Sequence, residues 1–83
     1  MDFDVYDAIE LGQSLEILLE DAPSKIRDDL ERVISALKVA KKNDDLLRIQ
    51  DELEALSNNS NLDSFSRSEI MNAITTIETI VNS

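Results

Sequence analysis

The chain contains no cysteine and no histidine, and only one glycine (Gly12) and one proline (Pro23). Without cysteine there are no disulfides and no thiol chemistry. Without histidine, imidazole acid–base catalysis and the usual zinc sites drop out as well. So few breakers in 83 residues favour long helices over a meander of short strands. No apolar run is long enough to span a bilayer. The start, Met1-Asp2-Phe3-Asp4, is acidic where a signal peptide would be basic. The expectation from these absences is an intracellular, cytoplasmic protein that does not enter a membrane.

Positive charge is also scarce. The net charge is -10, whereas a binder of phosphate backbones needs a basic face, so nucleic acid is not an expected partner. The distribution is uneven: residues 1–23 hold seven acids and no base. Residues 24–43 hold Lys25, Arg27, Arg32, Lys38, Lys41 and Lys42 against three acids. An acidic first helix beside a basic second one follows, each exposed pair contributing about 0–1 kcal/mol.

What is present is helical periodicity. A single domain over residues 1–83 resolves into four segments, at about 4–20, 23–42, 44–57 and 67–82. The first places Ala8, Leu11, Leu15, Leu18 and Leu19 on one face, with Asp4 and Asp7 at its dipole-positive end. The second opens at Pro23, carries Ile26, Leu30, Val33, Ile34 and Leu37, and ends in Lys38, Lys41 and Lys42. The third follows Asn43 or Asp44 as cap and carries Leu46, Ile49, Leu53 and Leu56. The fourth carries Ile70, Ala73, Ile74, Ile77, Ile80 and Val81. Short connections make neighbours antiparallel. The predicted fold is an all-α, four-helix, antiparallel up-and-down bundle, with Leu62 and Phe65 folding back over the core. Pairs four apart, Lys25–Asp29, Arg27–Glu31, Asp28–Arg32 and Asp44–Arg48, are expected to support the helices.

The stretch from Leu53 to Ile70 is dense in helix-terminus signals. Ser66 and Glu69 are spaced as a capping box, with Phe65 and Ile70 as a hydrophobic staple around it. Loss of the Ser66 cap is expected to cost about 1 kcal/mol. Upstream, Asn58 or Asn59 suits a left-handed helix end.

The runs Pro23-Ser24-Lys25-Ile26-Arg27, Leu53 to Asn61 and Arg67-Ser68-Glu69-Ile70 resemble a family of small uncharacterised archaeal proteins, over roughly residues 11–78. The chain departs from that family's pattern at Asn59, where an acid is usual, at Met71, where a large aromatic is common, and in a long loop without proline. The resemblance implies a four-helix bundle, with a mirror, bromodomain-like topology as one form of it, in an archaeal cytoplasm. It brings no activity.

No catalytic constellation is visible, and no cofactor is expected. A di-metal bundle centre needs inward Glu and Glu-x-x-His pairs, but the stripes are filled by Leu and Ile. A calcium loop from Asn58 to Glu69 fails in register, with Leu62 at a ligand position and Asp63 where the turn needs glycine. The clusters Asp28-Asp29-Glu31 and Asp51-Glu52-Glu54 read as solvated faces, since acid–base work needs a concave apolar site that shifts one pKa.

One feature is left over. On the first helix Tyr6, Ile9, Gln13 and Ile17 project opposite the core stripe. They form a candidate contact surface, most simply for a symmetric homodimer or else for another protein. The alternative is that the helix is buried on both sides. Asn72, Thr75, Thr76 and Thr79 make a polar but uncharged face on the fourth helix. Two function classes stay open. The favoured one is a non-enzymatic interaction or self-association module. The other is a small-ligand or divalent-cation binder using carboxylates near the 57–65 loop.

Overall fold

A computed structural model describes residues 3–82 and shows why the periodic stripes exist. Four helices, α1 (Val5–Glu16), α2 (Ser24–Val39), α3 (Asn43–Ser57) and α4 (Ser64–Asn82), follow one another with no strand among the described residues. α1 packs chiefly on α2, and α3 on α4; contacts of α2 with α3 and of α1 with α4 close the ring. The result is an up-and-down bundle made of two helical hairpins.

The apolar stripes all meet in one core. Ala8, Leu11, Leu15 and Leu18 are buried against Ile26, Leu30, Val33, Ile34 and Leu37. Leu46, Ile49, Leu53 and Leu56 complete it with Ile70, Ala73, Ile74, Ile77 and Ile80. Leu19 and Val81 pack at the edge. Phe3 and Ala40 are also buried, although neither belongs to a helical stripe. Gln50 is the buried polar residue, and its amide donates to Glu78 Oε1 at 3.1 Å across the α3–α4 seam.

The ends differ from the sequence expectations, and side chains bond the backbone at each of them. α1 stops at Glu16 and continues as a 3-10 turn, Ile17–Leu19, and the Arg27 guanidinium takes up the carbonyls at the end of that turn. Arg27 Nε donates to Leu19 O at 3.0 Å and Nη2 to Glu20 O at 3.5 Å. α2 ends at Val39, three residues short of the expected end, with Ala40 extended. The amides of Lys41 and Lys42 turn to Asp45 Oδ2, each at 3.2 Å, so those two lysines lie in the connection and only Lys38 stands in the last turn of α2. Neither Asn43 nor Asp44 caps α3; the carboxylate that reaches back is Asp45's.

α4 begins at Ser64, ahead of the expected Ser66 cap. Asp63 Oδ1 accepts from the Ser66 amide at 3.2 Å, and Arg67 N donates to Asp63 O at 3.0 Å. Ser66 therefore lies in the first turn. Phe65 is 57% exposed and makes no staple, while Ile70 is fully buried. Leu62 does fold over the core. Asn58 ends α3 at φ -88°, and no non-glycine residue described has positive φ. Asn59 instead forms a local turn, its Oδ1 accepting from Asn61 N at 2.9 Å. The surface pairs within helices are three apart, Asp29–Arg32 and Asp45–Arg48, and not four. The acid–base match of α1 with α2 appears as Glu16–Lys38 at 2.6 Å.

Candidate functional site

The bundle surface is indented between α2 and α3, at one end, and between α1 and α4. The first runs between α2 and α3, in two parts of about 240 and 320 Å³ that share Glu52. Val33, Ala36, Ala40, Ile49 and Leu56 floor it. On its rim Arg32 pairs with Asp29 at 3.7 Å and Arg48 with Asp45 at 3.3 Å, while among the described residues no ion pair reaches Glu52. The second, about 220 Å³, sits at one end of the bundle between the two long connections, over Ile26, Leu30 and Leu62. The third, about 230 Å³, lies between α1 and α4, where Leu11 and Ile80 form the floor and Asp7, Glu10, Ser14 and Thr76 the walls.

None of the sequence-predicted contact residues lines this third groove; they stand on the outward face of α1. Tyr6 is 71% and Ile17 61% exposed, Gln13 is exposed and Ile9 half-buried. The strip is positioned from below. Ala8, Leu11 and Leu15 lock one side of α1 into the core, and a helix with one face fixed presents the opposite face outward. Asp4 caps the helix by accepting from Tyr6 N at 3.0 Å, which fixes where the strip begins. Ile17 leads the 3-10 turn set by Arg27. Ile17 is thus not core in the single chain.

α4 contributes Thr76 and Ile80 to the groove, next to a wider uncharged face. Asn72, Thr75, Thr76 and Thr79 are exposed, and the threonine hydroxyls donate back into their own helix. Thr75 bonds Met71 O at 3.2 Å, Thr76 bonds Asn72 O at 2.9 Å and Thr79 bonds Thr75 O at 3.1 Å. Their only donors are spent, which makes the face less hydrated than its composition suggests. Sequence inspection flagged these residues without this reason.

The loop candidate for a cation, residues 57–65, is organised differently. Arg67 Nε donates to Ser57 O at 3.1 Å and Nη2 to Asn59 O at 3.0 Å. A guanidinium therefore occupies the carbonyl oxygens that a metal would need. Among the described residues no cluster of three or more acidic side chains is placed to hold a metal ion. The Ser66 hydroxyl donating to Asp63 holds that carboxyl below its usual range. The amides of Lys41 and Lys42 do the same for Asp45. Both are helix-end effects and not signs of an acid–base site. No helix among the described residues is long and apolar enough to cross a membrane.

Comparison with protein-family models, with characterised proteins and with solved structures gives no match.

Proposed function

We propose that this chain is a non-enzymatic interaction module whose contact surface is the outward strip of α1, Tyr6, Ile9, Gln13 and Ile17, together with the adjoining face of α4. The observation that carries this reading is the exposure of Tyr6 and Ile17 on the same face of one helix whose other face is fully committed to the core. A single exposed isoleucine is ordinary, but two large apolar side chains aligned on one helix face mark a contact site. A cysteine-free composition suits the cytoplasm. The resemblance to the small archaeal family adds no activity to the reading.

The test is affinity capture of a tagged chain from its native cells, with Ile17→Glu and Tyr6→Glu run alongside the parent. A stoichiometric partner retained by the parent and lost by both variants, with thermal melts unchanged, is the expected result. Retention of the same partner by both variants would contradict the assignment of the surface.

A further inference from the structure

We infer that the occupant of the α1–α4 face is a basic amphipathic helix of a partner protein, and not a second copy of this chain; this rests on the reading of that face as a contact surface. The first argument is charge. Residues 3–22 carry six acids and no base, and α4 carries one base, Arg67, whose guanidinium is spent on Ser57 and Asn59 carbonyls. Glu16 is matched by Lys38, but among the described residues no ion pair reaches Asp7 or Glu10, and these two flank the groove. A two-fold dimer through α1 would bring a segment with six acids and no base against an identical one. Like charges across an interface are costly and select against that partner. The α2–α3 side offers the contrast: Arg32 and Arg48 stand there beside Asp29, Asp45 and Glu52, so both signs are present and it discriminates less by sign.

The second argument is shape. From Tyr6 to Ile17 the strip covers about three helical turns, roughly 16 Å. Between α1 and α4, past Asp7, Glu10 and Ser14, lies a groove with a Leu11–Ile80 floor. This is the form that accepts an amphipathic helix through apolar anchors at one-turn spacing. On the α4 side Thr76 offers a methyl group and an acceptor but no free donor, its hydroxyl bonding Asn72 O. Lysine or arginine heads at the edge of the visiting helix would meet Asp7 and Glu10 while their stems cover the Thr76 methyl. A contact of three turns is smaller than a standard interface, so affinity of about micromolar order is expected.

Tyr6 is the only tyrosine, and there is no tryptophan. Intrinsic fluorescence therefore reports on the strip itself. The full chain is titrated with a tryptophan- and tyrosine-free leucine–lysine peptide about three turns long, patterned as an amphipathic helix. Its leucine–glutamate counterpart and polylysine serve as comparisons. The expected result is one-to-one binding of the leucine–lysine peptide that changes Tyr6 emission, weakens with salt, and falls about tenfold or more in Ile17→Asp. The control Leu47→Asp, at an exposed position on α3, should retain it. Equal binding of polylysine, or equal loss in both variants, would overturn the inference by reducing it to bulk charge. Binding of the leucine–glutamate peptide at Ile17 would keep the contact surface and overturn the class of partner. Sedimentation of the chain alone should show a monomer; a dimer abolished by Ile17→Asp would put a second copy on the face and overturn the inference while leaving the contact surface standing.

Discussion

The α1–α2 and α3–α4 hairpins are built on one plan. Leu11, Leu15 and Leu18 correspond in spacing to Ile49, Leu53 and Leu56. Leu30, Val33, Ile34 and Leu37 correspond to Ile70, Ala73, Ile74 and Ile77, and all of them are buried. Arg27 and Arg67 each stand at the fourth residue of the returning helix and each close the end of the preceding one. What the hairpins share is therefore architecture: two stripes and a guanidinium latch. They differ on the outside. The first has an acidic helix with an aligned apolar strip, and the second a neutral threonine face. The candidate site is made of what is not shared, where the outer wall of one hairpin meets that of the other.

The largest expected effects test the shared part. Leu30→Ala and Ile70→Ala should each cost about 2–5 kcal/mol, since both side chains are fully buried. A domain of this length has about 4–12 kcal/mol in total, so either variant should show a large drop in its urea midpoint. Similar losses support equivalent hairpins; a loss at one position only would break the equivalence.

The latches come next. Arg67 is partly buried and holds two carbonyls at 3.0–3.1 Å, so Arg67→Ala should cost about 1–3 kcal/mol. Arg27 is exposed, with one bond at 3.0 Å and one at 3.5 Å, and Arg27→Ala should cost about 0.5–1 kcal/mol. Arg67→Lys should not restore the loss, because one ammonium does not reproduce the fork. Equal losses at the two sites would show that burial is not what distinguishes them.

A smaller effect of opposite sign is expected at Gly12, which has no counterpart in the second hairpin, where Gln50 holds the matching place. A Cβ there would meet Ile34 O and Leu37 Cβ at 3.5 Å and Lys38 Cγ at 3.8 Å, all ordinary contacts. Gly12→Ala should therefore raise stability by about 0.5–1 kcal/mol through helix propensity, read as a higher melting temperature. Destabilisation would show that α1 and α2 cannot accommodate the methyl group.

The subtlest difference concerns acid. The Asp63 carboxyl is held below its usual range by the Ser66 hydroxyl and amide. A carboxyl depressed in the folded chain contributes stability above its unfolded pKa and loses it as pH falls through the folded value. Asp63→Asn keeps a capping oxygen but removes the titration. Melting curves of parent and variant should thus differ most at neutral pH and converge as pH falls through and below the carboxylate range. Curves that stay parallel throughout would contradict the cap assignment.

The core was legible in the sequence because a 3.6-residue period, with Gly12 the one breaker inside a helix, leaves each stripe one arrangement. The apolar strip was legible for the same reason: once Leu11 and Leu15 face inward, Tyr6 and Ile17 face out. Helix ends were not, because several residues compete for the same amides. Ser66 and Asp63 are both good caps, and the anionic acceptor further upstream wins, adding a turn to α4. At α3 the helix begins one residue earlier than Asn43 as cap would allow, with Lys42 in the cap place and Asp45 Oδ2 reaching back to the Lys41 and Lys42 amides. The Arg27 and Arg67 latches span different elements, which no local pattern announces. Their only sequence signal is an arginine four residues into a helix that follows a short connection.

The most direct single measurement is an amide and methyl NMR map of the isotope-labelled full chain titrated with the leucine–lysine peptide. Perturbation centred on Tyr6, Ile9, Gln13, Ile17 and the Thr75–Thr79 face, with the α2–α3 groove unchanged, is the predicted result. Perturbation centred on Val39 and Arg48, or spread evenly over the acidic surface, would contradict the placement of the contact surface on α1 and α4.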